Sequence, residues 1–173
     1  MYSRLVNRPS STLLVMTFED KLEALANLTV RVGNNLQAGQ RLYIRSPLEA
    51  APFTRLVARA AYQAGARLVE VLWVDDALTI ERLRHSDPAY LSEVSEVTYG
   101  ALDAVVAQGD ACLTILADDP AALEAEDGER VGTIMQAIGA RARPSLQAFG
   151  DVAVVATASL DGGTCARIPW ASA

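Results

Sequence analysis

Four short apolar runs, separated by segments with helical periodicity, constrain the fold of this chain more than any other feature. The runs are residues 41–45, 67–74, 111–117 and 152–156. Each has the length and the alternating or β-branched character of a strand. The connections between them are long enough to hold a helix, which parallel strands require. The alternation predicts an α/β fold with a mostly parallel sheet of about four or more strands, flanked by helices in a Rossmann-like three-layer arrangement.

Helix signals fill the connections between these runs. Residues 17 to about 36 carry apolar side chains at helical spacing behind a candidate N-cap, Thr17. Residues 52–64 open with proline in the first turn and end at Gly65, which can adopt the left-handed conformation of a C-terminal cap. Further helices are predicted over residues 77–84, 88 to about 108, from 118, and 127–142. The run 67–74 is apolar enough for an inner strand that is covered on both faces.

The chain has the size and composition of one domain. It has 173 residues, of which 51% are hydrophobic. This is enough to form a hydrophobic core without disulfide bonds or structural metal ions. No run approaches the ~18 apolar residues that span a bilayer, so we expect no membrane association. Residues 16–158 are expected to form the domain, with 1–15 as an extension upstream of a candidate native start at Met16, and 159–173 as a divergent tail.

The net charge and the cysteines indicate which binding partners and which cellular compartment to expect. A formal net charge of −6 and a pI near 4.8 disfavour nucleic-acid binding, which requires a positive surface. Cys112 and Cys165 have no metal-binding or redox spacing, and we expect a reducing cytoplasm.

Two pairs of aspartates give the sharpest positional hint of a site. Asp75 and Asp76 follow one predicted strand, and Asp118 and Asp119 follow another. Open α/β sheets bind ligands at the carboxyl ends of their strands, so these carboxylates are candidate ligand-binding residues. The alternative, which we favour, is that they cap the helices that follow.

No catalytic constellation is visible in the sequence. His85 is the single histidine, and it lies in a charged segment at the end of a short helix, where we expect a solvent-facing or structural role. Metal sites usually draw on several ligands, so we assign no metal-binding and no catalytic residue. Phosphate-binding glycine loops and a nucleophile elbow are also missing from the sequence.

Residues 18–76 resemble the start of the thermophilic metalloaminopeptidases of the aminopeptidase T and aminopeptidase S type, metallopeptidase family twenty-nine. The matching features are the opening helix, the segments 32–34 and 37–40, the element from 61 to 66, and the strand 71–75. The resemblance implies an α/β amino-terminal domain of a dimeric enzyme that removes N-terminal residues from peptides. It also implies that two divalent metals, such as Zn, Co or Mn, are held by a carboxy-terminal half that this sequence lacks, so no cofactor is assigned to this chain.

Three functional hypotheses follow from the resemblance and the residues. The first is a truncated or free-standing amino-terminal domain of a metal-dependent aminopeptidase, inactive alone, with a structural role as a homodimer. The second is a binding protein for amino acids or short peptides, whose α-ammonium group would suit the four aspartates. The third is a fragment of a disrupted gene for an active aminopeptidase.

Overall fold

The computed structural model describes residues 17–116, 123–152 and 155–159, and the side chains of these residues up to 148. The strands are β1 Arg41–Pro47, β2 Leu68–Val74, β3 Ala111–Leu116 and β4 Val155–Ser159. The α-helices are α1 Phe18–Leu28, α2 Ala51–Gln63, α3 Asp76–His85, α4 Glu96–Ala107 and α5 Gly128–Val152. A π-helical turn, Thr29–Gly33, extends α1, and short 3-10 turns occupy Leu48–Ala50 and Pro88–Tyr90.

The sheet is parallel throughout and has the strand order β2-β1-β3-β4. In the shared register, Tyr43 of β1 lies opposite Glu70 of β2 and Cys112 of β3. Strands β1 to β3 have described side chains, and β4 adds a fourth strand beside β3. The predicted α/β class with a parallel sheet flanked by helices is confirmed.

Helices cover the sheet from both sides. On one face, Leu42, Ile44, Leu113 and other sheet residues pack with Phe53 and Val57 of α2, in a cluster that also contains residues of α1. On the opposite face, the smaller cluster consists of Tyr43 and Cys112 of the sheet with Val105 of α4. Helix α5 lies against α4. The buried cluster on the second face is therefore smaller than the cluster on the first face.

The predicted start of α1 and the predicted end of α2 are correct. The first helix ends earlier than the predicted residue 36, since α1 ends at Leu28 and its π-helical extension ends at Gly33. Thr17 forms a reciprocal capping box with Asp20: its hydroxyl accepts from the Asp20 N–H at 3.1 Å, and its own N–H donates to the Asp20 carboxylate at 2.9 Å. Gly65 follows α2 with φ of +97°, in the left-handed region. Local signals specify these ends because each acts within one turn of the helix.

Two further predicted boundaries are wrong. The long helix expected over residues 88–108 is a 3-10 turn followed by α4, because the Ser95 hydroxyl accepts from the Thr98 N–H and starts a new helix there. The strand expected over residues 152–156 begins later, at Val155, because α5 continues through Val152. In both places, short apolar segments fit either structure, and the periodicity alone does not decide between them.

Strand β2 is an edge strand, which contradicts the inner position expected from its apolar composition. It has β1 on one side, and among the described residues no strand pairs with its other side. Val69 and Val71 pack against the α2 side of the sheet, but Leu68 and Trp73 remain 43% and 40% exposed. The Tyr62 hydroxyl accepts from the Val69 N–H at 3.1 Å and so satisfies one outward-facing amide of this edge. The apolar composition of this strand reflects helices on both faces, with Val69 and Val71 on the α2 side and Leu72 on the α4 side, and does not require a strand on both sides.

The amino-terminal end of the sheet is held by a buried carboxylate. Asp110, which precedes β3, accepts from the backbone N–H of Arg41 at 2.8 Å and pairs with the guanidinium groups of Arg41 and Arg67 at 3.3 and 3.1 Å. Because Arg41 begins β1 and Arg67 precedes β2, one carboxylate fixes the starts of three strands.

In the described parts of the chain, no helix has both the length and the apolar character needed to cross a membrane.

Candidate functional site

Asp75 and Asp76 lie where the sequence places them, between β2 and α3. Asp75 is the N-cap of α3, and its Oδ1 accepts from the Ala77 N–H at 2.9 Å. Asp76 is the first residue of α3, where the helix dipole favours a negative charge. Asp118 and Asp119 lie outside the described residues. Asp75 therefore caps a helix, and the meeting of the four carboxylates in one ligand site stays a prediction.

Two adjoining cavities lie toward the carboxyl ends of β1, β2 and β3, on the sheet face covered by α4 and α5. We name them together the strand-end crevice. The inner cavity has a volume of about 170 Å³ and lies between sheet residues, including Leu72 and Cys112, and Tyr99 and Leu102 of α4. The outer cavity, of about 450 Å³, extends to Asp75 at the start of α3. Both cavities share Arg45, Leu72, Thr98 and Tyr99 in their walls, so they lie side by side.

Arg45 is a functional candidate that sequence reasoning missed. It belongs to β1, which is an interior strand of the sheet, yet its side chain is exposed and lines both cavities. Within the described ranges, no carboxylate forms an ion pair with it. In the sequence, Arg45 reads as one of the solvent-facing residues that alternate with Leu42 and Ile44. Only the strand order, which the sequence leaves open, places it in the wall of a crevice.

Arg82 is the other arginine in the wall of the outer cavity, and its hydrogen bonds are made to the backbone. Its Nη2 donates to the carbonyls of Tyr90, Leu91 and Glu93 at 3.3, 3.1 and 2.6 Å. These bonds hold the segment between α3 and α4 against α3. Arg82 therefore shapes the outer cavity, whereas Arg45 has no hydrogen bond or ion pair to a described residue.

Burial raises the pKa values of two groups in the inner cavity, the Tyr43 phenol and the Cys112 thiol. Burial is the largest effect on Tyr43 and raises the pKa of its phenol, although the positive charge of Arg45 acts in the opposite direction. Burial also raises the pKa of the Cys112 thiol to about 12. A thiol with so high a pKa is a poor nucleophile, since the thiolate is the reactive form. The inner cavity suits the binding of an apolar group better than covalent chemistry.

His85 ends α3, as expected, and faces solvent. Its side chain is 75% exposed, and Nε2 lies 3.3 Å from the Glu81 carboxylate one turn earlier. His85 lines neither cavity of the crevice. The structure brings no serine, threonine or cysteine of the crevice together with a histidine base within the described part of the chain.

The divalent metals implied by the resemblance do not fit the side chains that the structure describes. In residues 17–116 and 123–148, no three histidine, cysteine, aspartate or glutamate side chains lie close enough together to hold a metal ion. A catalytic metal ion normally needs at least three protein ligands. The described side chains therefore support no reaction step that passes through a metal.

Comparison with known proteins gives a consistent family. The family model described as thermophilic metalloprotease (M29) matches residues 18–152. The chain is 39% identical over 116 residues to aminopeptidase 2 of Geobacillus stearothermophilus, a match that covers 67% of this chain and 28% of that protein. It is 38% identical over 132 residues to aminopeptidase T of Thermus aquaticus, covering 76% of this chain and 32% of the relative.

A solved structure supports the same relationship. Wild-type AmpT from Thermus thermophilus superposes with a TM-score of 0.78 at 33% identity, over 83% of this chain and 36% of that one. The chain thus spans about a third of the length of the relatives it matches. Fold, sequence identity and family model agree: the chain belongs to the thermophilic metalloprotease family M29.

Proposed function

We propose that this chain is the amino-terminal domain of a metal-dependent aminopeptidase, with a structural and dimerisation role and no catalytic activity of its own. The observation that carries the proposal is the match to about one third of each aminopeptidase, together with donor side chains that do not form a metal site in the described residues. Peptide hydrolysis by this class depends on a metal ion that polarises the carbonyl and activates water. The chain contributes a folded scaffold to such an enzyme.

An exposed apolar stripe on the first helix supports the dimerisation role. We define the α1 stripe as Phe18, Leu25, Leu28 and Val32, which are 69%, 37%, 56% and 64% exposed. Their spacing of seven, three and four residues places them along one side of the helix. The residues of this helix that join the core are instead Leu22, Ala26 and Val30. A contiguous exposed apolar surface of this kind is typical of interaction sites.

Light scattering over a concentration series tests the dimer. We expect the wild-type chain to have the mass of a homodimer at micromolar concentrations and Leu28→Glu to shift it toward the monomer, because a buried charge in an apolar interface is unfavourable. Val97→Glu is the matched control, since Val97 is an 86% exposed apolar residue of α4 that lies outside the stripe. A wild-type monomer at all concentrations, or equal effects of both substitutions, would contradict the dimerisation role.

As part of the same proposal, we place this chain in the cytoplasm. Cys112 is a free, buried thiol. Reduced thiols persist in the cytosol, where disulfides are rare. The free thiol therefore supports an intracellular location.

The second candidate is a binding protein for amino acids or short peptides. It is favoured by the strand-end crevice, which contains Asp75 and lies at the end of the sheet where α/β proteins bind ligands.

The third hypothesis, a fragment of a disrupted aminopeptidase gene, is tested by reading the nucleotide sequence downstream of this chain. A continuation in another frame that matches the rest of the relatives would support it.

A further inference from the structure

We propose that the strand-end crevice binds a small organic carboxylate that carries an aromatic or branched apolar group, with the carboxylate on Arg45 and the apolar group in the inner cavity. This proposal rests on the second candidate function, that of a small-molecule binding protein, and specifies the chemistry of the ligand. It is independent of the dimerisation role. The sequence predicts that aspartates bind the ammonium group of the ligand. Here the recognised group of the ligand is instead its negatively charged carboxylate.

The first support is the contrast between Arg45 and Arg41, which project from the same face of β1. The Arg41 guanidinium pairs with Glu70 at 3.0 Å and with Asp110 at 3.3 Å. Arg45, four residues further along, has no such partner among the described side chains. A guanidinium presents a planar fork of donors that matches a carboxylate in a bidentate arrangement. An exogenous carboxylate would give Arg45 the type of partner that Arg41 already has.

The second support is the size and lining of the inner cavity. Its volume of about 170 Å³ is close to that of an apolar cavity of about 150 Å³ that binds benzene in another protein. Leu72, Leu102, Leu146 and the ring of Tyr99 supply most of the apolar wall. A phenyl or branched aliphatic group matches this space, and Arg45 lines both the inner and the outer cavity.

The third support is the state of Asp75. Its Oδ1 already accepts from the Ala77 N–H, and this bond starts α3. Arg82 is likewise occupied by backbone carbonyls. Among the described residues, two arginines and one aspartate line the crevice, so its net charge is positive. Arg45 is the one of these three that has no hydrogen bond or ion pair to a described residue. The ligand charge that matters is therefore negative.

Calorimetric titration with three related probes tests the proposal. 3-Phenylpropanoate has the carboxylate and the ring, phenethylamine has the ring and an ammonium group, and acetate has the carboxylate alone. We expect 3-phenylpropanoate to bind at millimolar concentrations and to raise the midpoint of thermal unfolding. We expect phenethylamine not to bind, and acetate to bind at least tenfold more weakly than 3-phenylpropanoate because it leaves the inner cavity unfilled.

Variants separate Arg45 from general charge effects. Arg45→Gln is expected to weaken the binding of 3-phenylpropanoate about tenfold, since it removes a charge-assisted pair. Arg45→Lys retains the charge without the fork and is expected to fall between the wild type and Arg45→Gln. Arg55→Gln is the matched control, because Arg55 is an exposed arginine on α2, on the other side of the sheet. Circular dichroism checks that each variant is folded.

The outcomes distinguish this proposal from its neighbours. Binding of phenethylamine without 3-phenylpropanoate would overturn it and favour the aspartate site. Equal affinity in the wild type and a folded Arg45→Gln would also overturn it, as would the lack of any heat or thermal shift with 3-phenylpropanoate. None of these results alters the light-scattering test, so failure here and failure of the dimerisation role can be told apart.

Discussion

Gly65 holds a backbone conformation that few other residues adopt without strain. Its φ is +97°, and a Cβ built on it would lie 3.0 Å from the Cβ of Ala38. The Gly65 carbonyl also accepts from the Gly39 N–H at 2.8 Å. These contacts join the turn before β1 to the turn before β2. Gly39 and Gly65 therefore act at the amino-terminal end of the sheet, opposite the strand-end crevice.

Replacing Gly65 should destabilise the fold. We expect Gly65→Ala to lower the free energy of unfolding by about 2 kcal/mol, because alanine is strained at positive φ and its methyl group contacts Ala38. Gly100→Ala is the matched control: Gly100 lies within α4 with open space around it, so alanine should raise the free energy of unfolding by about 0.5–1 kcal/mol. Urea unfolding measures both, and equal effects of the two substitutions would refute the role of Gly65.

Cys112 reports on the closure of the inner cavity. With its pKa raised to about 12 by burial, its thiolate population at pH 8 is roughly a thousandfold below that of a free cysteine. In a Cys165→Ser background, we expect iodoacetamide to alkylate the folded chain at least that much more slowly than the chain unfolded in guanidinium chloride. Mass spectrometry follows the reaction. Comparable rates in the two states would mean that the cavity is open to solvent.

At the scale of elements, a charged network joins α4 to α5. Arg141 of α5 pairs with Glu96 and Asp103 of α4 at 3.0 and 2.7 Å, and its guanidinium lies 5.7 Å from the centre of the Tyr99 ring. Hydrogen bonds from Arg141 lower the pKa values of both carboxylates, and the Ser145 hydroxyl adds to the effect on Asp103. The network fixes α5 over the helix that forms one wall of the crevice.

The sign of these shifts predicts how stability depends on pH. Glu96 and Asp103 have folded-state pKa values below their ordinary values of 4.5 and 3.8, so their contribution is complete at neutral pH and is lost as the pH falls through the folded-state values. We expect Arg141→Gln to be less stable than the wild type at pH 7, with a difference that shrinks below about pH 4. Thermal unfolding from pH 7 to pH 2 measures it, and a constant difference would contradict the assignment.

The elements that the sequence predicted well are those with local signals. The capping box at Thr17 and the left-handed Gly65 specify helix ends by contacts within a few residues. The position of β2 at the edge and of Arg45 in a crevice depends on strand order, which arises from packing between distant segments. For this reason the α/β class was predictable, and the residue that matters most for the proposed ligand binding was not.

At the scale of the whole molecule, the chain forms a parallel sheet with helices on both faces and is related to one third of an aminopeptidase. The α1 stripe and the strand-end crevice differ in kind. The α1 stripe is apolar and exposed, which suits a macromolecular partner, whereas the crevice is concave and has a net positive charge from Arg45, Arg82 and Asp75, which suits a small anion. We therefore expect Leu28→Glu to change the oligomeric state without changing the affinity for 3-phenylpropanoate. We expect Arg45→Gln to lower that affinity without changing the oligomeric state.

The central claim is that this domain performs no peptide hydrolysis alone. The most direct measurement is the hydrolysis of leucyl 4-nitroanilide by the purified chain with added Zn²⁺, Co²⁺ or Mn²⁺, beside a chelator-treated control. We predict no turnover above the rate of the metal salts alone, because the described side chains do not form a metal site. Metal-dependent turnover that is abolished by the chelator would contradict this claim and would mean that an active site assembles from this chain, either within one copy or between two.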